Sequence, residues 1–375
     1  MAITTLSDVA NAFNSGKVAT TFWNKLSGAS TTIAITSGQW NYLGLFQIGS
    51  VFSHWDSIAG STANLTQQLI SDTTTTTATT AALGGSISGT TFTDTTHGTN
   101  RFTVGMSLSG TGVTPGTTII NYGTGTGANN GGTYTVNISQ TVTNQTITGT
   151  GYPGNIYTGP STSPNKKFLL QNSSTLRASS SGGNVHLLID VLAQYTITSV
   201  TTTGEQSFSG SSAWPRYADG VGVRALLVCT QPMGLGSPTV QLRYTNENGV
   251  SNRLTPPFPL PTVVASSLIG KVPYTSNTGV GPFFPLQEGD KGIKSVETIN
   301  FNASMTSGAL SLIICKPITS SFAGNGANYV SQDFLFNKIS LPRLYDGNNL
   351  QMLTMFSQGL TSNYLLNGIV QTVWE

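Results

Sequence analysis

Hydrophobic and polar residues alternate with a period of two over much of this chain, the mark of strands with one buried face. In TVQLRYTN the residues Val240, Leu242 and Tyr244 fall on one side, and NENG (Asn246–Gly249) supplies a turn into SNRLTP. NVHLLIDVLAQYTITSV, from Asn184, has a near-continuous apolar start, which predicts burial on both faces. VGVRALLVC predicts a second core strand, and IKSVETINFN and GALSLIICKPI follow, flanking the turn ASMTSG. NGIVQTVW predicts a last strand, and near the N-terminus TTIAIT and NYLGLFQIGSVF predict two more around SGQW. Turns recur every 10–15 residues or so, the rhythm of an antiparallel sandwich. Pro256, Pro257, Pro259 and Pro261 belong at an edge or in a long loop, because proline cannot donate to a ladder.

The period changes at both ends. TLSDVANAFN predicts a short helix capped by Thr5 or Ser7, with Asp8 in its first turn, Gly16 as a stop, and Leu6, Val9, Ala10 and Phe13 on one face. In the tail, SQDFLFNKI and NNLQMLTMFSQGL predict two short helices joined by LPRLYDG, the second with Leu350, Leu353 and Phe356 on one stripe.

A different texture runs from Thr73 to Gly151: Thr and Gly dominate, and the charges are Asp94 and Arg101. Phe102, Val104, Met106 and Leu108 alternate with Thr103, Gly105 and Ser107, a half-buried strand. GTGVTPG is a turn around Pro115, GTGTGANNGG a loop, and TTII, TYTVNI and TVTNQTIT further strands, where β-branched Thr supplies propensity without charge. Four or five short strands predict a small sandwich or barrel-like unit. Residues 152–183, rich in Pro, Ser, Asn and Gly, predict a linker and return loops. The expectation is all-β: a jelly-roll-like antiparallel β-sandwich body built from residues 1–72 and 152–375, an inserted β module at 73–151, and short peripheral helices.

Composition narrows the function. Of the 375 residues only 8% are charged, and the net charge is +2. That gives no electrostatic case for nucleic acid or an anionic membrane surface. No apolar run approaches the ~20 residues of a membrane span, and MAITTLSDVANAF lacks the basic and apolar regions of a secretory signal. The expectation is a soluble protein made in a cytoplasm and released by lysis. Cys229 and Cys315 each sit in an apolar run and read as buried reduced thiols; spacing leaves a disulfide between neighbouring strands open.

Candidate chemistry is thin. His54, His97 and His186 are far apart and form no zinc motif; His186 lies in a core-like strand and reads as a satisfied buried histidine. There is no GxSxG elbow. The 14 carboxylates include turn residues Asp219, Glu247, Glu288, Asp290 and Asp346; Asp190 and Glu297, on separate strands, could in principle face each other as a glycosidase requires, but so could any other pair. GTGTG at Gly123–Gly127 is followed by no Lys-Ser/Thr and opens no helix, so it is not a phosphate loop. Trp23, Trp40 and Trp55 anchor a core or a subunit interface, with a sugar-stacking platform as the alternative. In WPRYADGVGVR (Trp214–Arg224), Arg216, Asp219 and Arg224 predict a turn with a local ion pair, or an intersubunit contact. No residue is assigned a catalytic, cofactor-binding or metal-binding role, and no cofactor is expected.

Two sets of residues carry a resemblance. FTVGMSLSGTGVTPGTTIINYGTGTG and GGTYTVNISQTVTNQTITG resemble a β module of tailed-phage structural proteins and fibres, over Gly105 to about Gly149. Its pattern there is G-x-x-(I/L)-x-G-T-G-V-x-x-G-T-T-I, then G-T-G-x-G, then G-T-Y-T-V-x-x-S-Q-T-V. LQEGDKGIKSVETINFNASMTSGALSLIICKPI (Leu286–Ile318), LPRLYDGNNLQML (Leu341–Leu353) and MAITTLSDVANAF are similar to a group of tailed-phage head-region virion proteins that lack the insert. The resemblance implies a capsid-associated decoration or cement protein at the virion surface. Its partners would be the major capsid protein and itself, in a homo-oligomer such as a trimer, with the module projecting outward. The alternatives are a tail-fibre or receptor-binding protein that recognises host surface glycan, and a polysaccharide-active jelly-roll enzyme, which the shortage of carboxylates disfavours.

Overall fold

In a computed structural model the alternating segments become three hydrogen-bonded sheets. The structure describes residues 5–26, 40–42, 65–69, 80–95, 107–114, 119–122, 132–150, 164–177, 184–197, 200–209, 216–231, 233–260, 281–323, 330–333, 341–346, 348–356 and 365–375, with Ile3, Phe102, Thr117, Ile156, Thr158, Thr162, Trp214, Val272 and Pro273 between them. Helix α1 (Leu6–Asn14) comes first. The strands follow as β1 (Val18–Leu26), β2 (Trp40–Tyr42), β3 (Leu65–Leu69), β4 (Thr80–Asp94), β5 (Ser107–Ser109), β6 (Ile119–Tyr122), β7 (Gly132–Thr150), β8 (Lys167–Arg177), β9 (Asn184–Ile197) and β10 (Gly204–Ser209). They continue as β11 (Arg224–Gln231), β12 (Thr239–Asn246), β13 (Arg253–Leu254), β14 (Phe258–Pro259), β15 (Ile293–Phe301), β16 (Ala309–Ala323), β17 (Val330–Asp333), β18 (Arg343–Leu344), β19 (Leu350–Phe356) and β20 (Leu365–Trp374).

The fold class is the expected all-β, antiparallel sandwich. The largest sheet runs β11-β16-β9-β3-β10-β15-β12-β13, with β14 on β12 and β19 joining β9 to β2. Apart from a two-residue parallel contact between β10 and β3, its pairings are antiparallel. The sheet curls until its ends nearly meet: Val221 and Gly292 form a bridge, and the Phe284 amide donates to the Ala225 carbonyl at 2.8 Å. Inside the curl lies the main core, which includes Ile189, Val191, Leu226, Val228, Leu242, Ile299, Phe301 and Leu312. The second sheet, β1-β20-β8-β17 with β18 on β8, covers the outer face of β9 and β19. Between them lies another core, with Leu188, Leu350, Met352 and Phe356 against Leu169 and Val370. Strand β9 therefore serves both cores, and Leu188 to Ala193 is buried without a break, as its apolar start predicts.

Several expectations are met closely. Strand β12 alternates in burial, with Val240, Leu242 and Tyr244 inside. Pro259 sits in a two-residue strand at the margin of β12. Cys229 and Cys315 are buried thiols outside any disulfide; in the ladder Cys229 faces Leu310 and Cys315 faces Arg224, so they lie at opposite ends of the β11–β16 pairing. Thr5 caps α1 in a capping box with Asp8, its hydroxyl accepting from the Asp8 amide at 3.2 Å while the carboxylate accepts from the Thr5 amide at 2.8 Å.

Others are corrected. In the tail the described residues of the two predicted helices hold strands: the first three residues of SQDFLFNKI belong to β17, and NNLQMLTMFSQGL holds β19, whose residues are buried on both faces, while residues 334–340 and 357–360 lie outside the described residues. The apolar residues of β19 satisfy a helical stripe as well as a fully buried strand, and a short run does not separate the two. Residues 152–183 are not simply a linker, because β8 lies within them at the middle of the second sheet. Its polar stretch Gln171–Thr175 hides a strand because buried Asn172, Ser173 and Ser174 replace the apolar residues that alternation requires. On α1 the buried residues are Val9 and Ala12, packed with Leu170 and Val373, while Leu6 and Phe13 stay exposed. Helix α1 is the one helix among the described residues.

The Thr/Gly-rich block forms its own sheet, β4-β7-β5 with β6 on β7, and its ladder closes at Thr80↔Gly149. TYTVNI and TVTNQTIT are one long bulged strand, and Gly112 (φ +77°) turns the chain after β5. Phe92, Phe102 and Tyr134 form its aromatic centre, with centroids 4.8–5.6 Å apart. The buried cluster holding these rings also holds Ile156, Leu169 and Val370 of the body. The predicted strand TTIAIT and most of NYLGLFQIGSVF lie outside the described residues, as do GTGTGANNGG, His54, His97 and Trp55.

Where the curled sheet closes, Gly220 (φ +76°) and Gly292 lie so close that a Cβ on Gly292 would stand 1.9 Å from the Gly220 carbonyl oxygen. Backbone cannot give way as a flexible side chain can, so Gly292→Ala is expected to lower the unfolding free energy by about 1–3 kcal/mol, measured as a shift in the urea midpoint at unchanged slope.

Candidate functional site

The chemistry of the body gathers where β9 leaves one neighbour for another. Up to Asp190 it pairs with β19, and from Ala193 with β3, while β16 follows its other edge throughout. Asp190 lies at this branch and is fully buried. Its carboxylate accepts from Arg216 Nε at 2.9 Å, from Arg216 Nη2 at 2.7 Å and from the Asn349 amide at 2.9 Å. Arg216 Nη2 also donates to the Val191 carbonyl at 2.8 Å. The partner of Arg216 is thus a residue of a core strand, not its neighbour Asp219. Asp219 instead accepts from the Val221 amide. Trp214 is buried and donates its Nε1–H to the Ile293 carbonyl at 2.8 Å, which places it in the interior of its own chain.

This anchored segment forms one wall of a cleft of about 680 Å3, lined by residues of segments 216–221, 316–318 and 342–345. Tyr217, at φ +55°, meets Tyr345 edge to face with centroids 4.9 Å apart. Lys316 Nζ donates to the Val221 carbonyl at 2.7 Å and lies 5.5 Å from the Tyr217 ring centroid. Burial lowers the Lys316 pKa from its ordinary value, Asp219 works against that, and Arg224 adds to it. The Arg343 guanidinium lies 5.0 Å from the Tyr345 centroid and 5.8 Å from that of Phe168. Its Nε is buried without a hydrogen-bond partner, and it forms no ion pair among the described residues. Burial foremost, with the Asp190 carboxylate nearby, pushes the Tyr217 phenol well above its usual value.

The remaining carboxylates hold turns. Asp290 accepts from Tyr244 Oη at 2.5 Å, Asn246 Nδ2 at 2.8 Å and Arg253 Nε at 2.9 Å. Burial acts to raise its pKa, but the hydrogen bonds from Arg253, Tyr244 and Asn246 prevail and hold it below the ordinary range. Glu247 accepts from the Lys291 and Gly292 amides, and Asp346 pairs with buried Lys167 at 3.2 Å. Glu297 accepts from the Thr245 hydroxyl. Asp190 and Glu297 are not brought together. Strands β9 and β15 are three strand spacings apart along the sheet, roughly 14 Å, and each carboxylate has its own partners. His186 Nδ1 meets Thr354 Oγ1 at 3.0 Å, while Nε2 is buried without a partner, so this histidine is half satisfied. Trp40 is a core residue and Trp23 lies on β1. No group of three His, Cys, Asp or Glu able to hold a metal occurs among the described residues, and no helix there is long and apolar enough to cross a membrane.

No protein-family model matches the sequence, and no curated protein matches it. Among solved structures, the chain is similar to the infectious bursal disease virus Gt strain structure at 10% identity, covering 87% of this chain and 84% of that one with a TM-score of 0.13. It is similar to T=1 particles derived from the same virus at 11% identity, covering 82% and 76% with a TM-score of 0.12. The VP2 subviral particle follows at 10% identity, covering 87% and 83%, again with a TM-score of 0.12. Scores this low carry no argument about fold or function.

Two outcomes follow from this geometry. Arg216→Ala strands a buried carboxylate and is expected to cost about 3–5 kcal/mol, read from equilibrium urea unfolding. Burial lowers the His186 pKa from 6.5 to about 4, so protons bind the unfolded chain better. Its contribution is complete above pH 6.5 and shrinks by roughly 1.4 kcal/mol per pH unit as the pH falls toward the folded value. Comparing His186→Gln with the unsubstituted chain across this window isolates the histidine, and the variant should show the shallower acid decline.

Proposed function

We propose that this chain is a structural protein of a tailed-phage virion that decorates or cements the capsid. The observation that carries this is the division of labour on α1. Val9 and Ala12 are buried against the body, while Leu6 and Phe13 remain 58% and 46% exposed on the same short helix. Exposed large apolar side chains on a chain with so few charges favour assembly through apolar subunit contacts. Such contacts change little with salt, because screening acts on charges. The carboxylates that could work as acid or base are tied to arginines, amides and turns, which favours a mechanical role over a hydrolytic one. The sequence resemblance to phage head-region proteins supports the same reading. The major capsid protein and further copies of this chain are the partners it calls for.

The Thr80–Thr150 sheet fits a projecting module within this reading. It pairs only with itself among the described strands, and its first residue, Thr80, is the ladder neighbour of Gly149. A second reading, a tail-positioned glycan-recognition protein, is favoured by the cleft beside Arg343.

Image reconstruction of purified particles tests the proposal: many symmetry-related copies on the shell are expected, and a few copies confined to the tail would refute it. In the same preparation, a variant with residues 80–150 replaced by a short Gly/Ser linker should still fold and occupy the shell. An unfolded body in that variant would mean the module is part of the sandwich.

A further inference from the structure

We infer that the cleft between segments 216–221, 316–318 and 342–345 binds a short glycan bearing a carboxylate. The first ground is charge. The described ion pairs match Arg216 with Asp190, Arg253 with Asp290, Lys167 with Asp346 and Arg243 with Glu205. Arg343 stands outside this pattern: it has no carboxylate, its Nε is covered without a partner, and it lines a cleft of about 680 Å3. Of the other charges lining that cleft, Arg216 is matched by Asp190. Lys316 forms no ion pair among the described residues either, but its Nζ is already engaged with the Val221 carbonyl. The guanidinium of Arg343 is thus a charge on this cleft with no ion pair among the described residues, and two hydrogen bonds from its Nη groups fit a carboxylate.

The second ground is rigidity. Tyr345 and Phe168 both lie within cation–π distance of Arg343. Tyr345 is in turn fixed against Tyr217, on a segment anchored by the buried Arg216–Asp190 pair. A side chain held this way loses little freedom when it meets an anion.

The third ground separates a sugar from a peptide. Acidic peptides that add to a sheet edge need backbone donors along that edge. Pro317 and Pro342 interrupt both strand-bearing segments of the cleft and remove such donors. What the walls offer instead is the rings of Tyr217 and Tyr345 beside Pro317, Ile318 and Pro342, apolar surfaces that suit the C–H faces of a sugar. The inference does not depend on where the protein sits in a particle, so its failure leaves the capsid reading untouched.

Calorimetric titration of the purified full chain at low salt provides the test, with tri-galacturonate, glucuronate and N-acetylneuraminate as probes. The methyl ester of tri-galacturonate and a short poly-glutamate peptide serve as comparators. At least one acidic sugar should bind with a Kd of roughly millimolar or tighter, and its ester or neutral counterpart at least about tenfold more weakly. Arg343→Gln should reduce acidic-sugar binding about tenfold or more, with Arg343→Lys retaining part of it. Should Arg343→Gln unfold, the acid–ester comparison on the unsubstituted chain decides alone. No binding of any acidic sugar at about 10 mM, equal binding of acid and ester, or tighter binding of the peptide would each overturn the inference.

Discussion

The buried pair of Asp190 and Arg216 is the constraint on which most of this body depends. Two cores share strand β9, and β9 changes partners beside Asp190. A strand that changes partners leaves backbone groups to be satisfied at the junction. Here the carboxylate takes the Asn349 amide, Val191 donates its amide to the Asn349 carbonyl at 2.9 Å, and the Arg216 guanidinium takes the Val191 carbonyl. Two apolar residues could fill the same volume but could not meet these groups. The pair is costly to desolvate, and what it supplies is the register of β19 against β9 and the position of the segment that closes the curled sheet.

The same use of charge recurs on a smaller scale. The Asp290 carboxylate gathers Tyr244, Asn246 and Arg253, and Glu247 reaches across to the amides of Lys291 and Gly292. Together they tie the turn after β12 to the turn before β15, next to the glycine contact that completes the curl. With 8% of residues charged, this chain places three of its four described ion pairs at turns or a branch point, the fourth, Arg243–Glu205, running between strands β12 and β10. Bidentate arginine geometry makes each such pair a positional device more than a source of net stability.

How much was legible in the sequence follows from what each segment buries. Strands β9, β11, β12, β15, β16 and β20 announce themselves because apolar residues mark at least one face. Strand β8 does not, since Asn172, Ser173 and Ser174 occupy its buried positions. Strand β19 was mistaken for a helix because it is buried on both faces, and a run without alternation has no visible period. The segment from Trp214 to Arg224 stood out for its mixed chemistry, but its partner did not. Asp190 precedes Arg216 by 26 residues, and nothing local in the chain connects them. The cleft was illegible for the same reason: its walls come from three distant segments, and nothing local in the chain sets Arg343 beside Tyr345 and Phe168 without a carboxylate.

The antiparallel pairing of Thr80 with Gly149 has a consequence for the chain as a polymer. Where a long segment enters and leaves side by side, the host closes the same gap whether the excursion holds two residues or seventy. Closure entropy rises only with the logarithm of loop length, by about 0.6 kcal/mol per doubling, and a segment that folds on its own ladder fixes that gap itself. In closure entropy alone, the host is therefore almost indifferent to the size of what is carried there. What ties the excursion to its host is therefore packing and not chain closure: its rings share a buried cluster with Ile156, Leu169 and Val370, and a different cargo would have to meet that same surface.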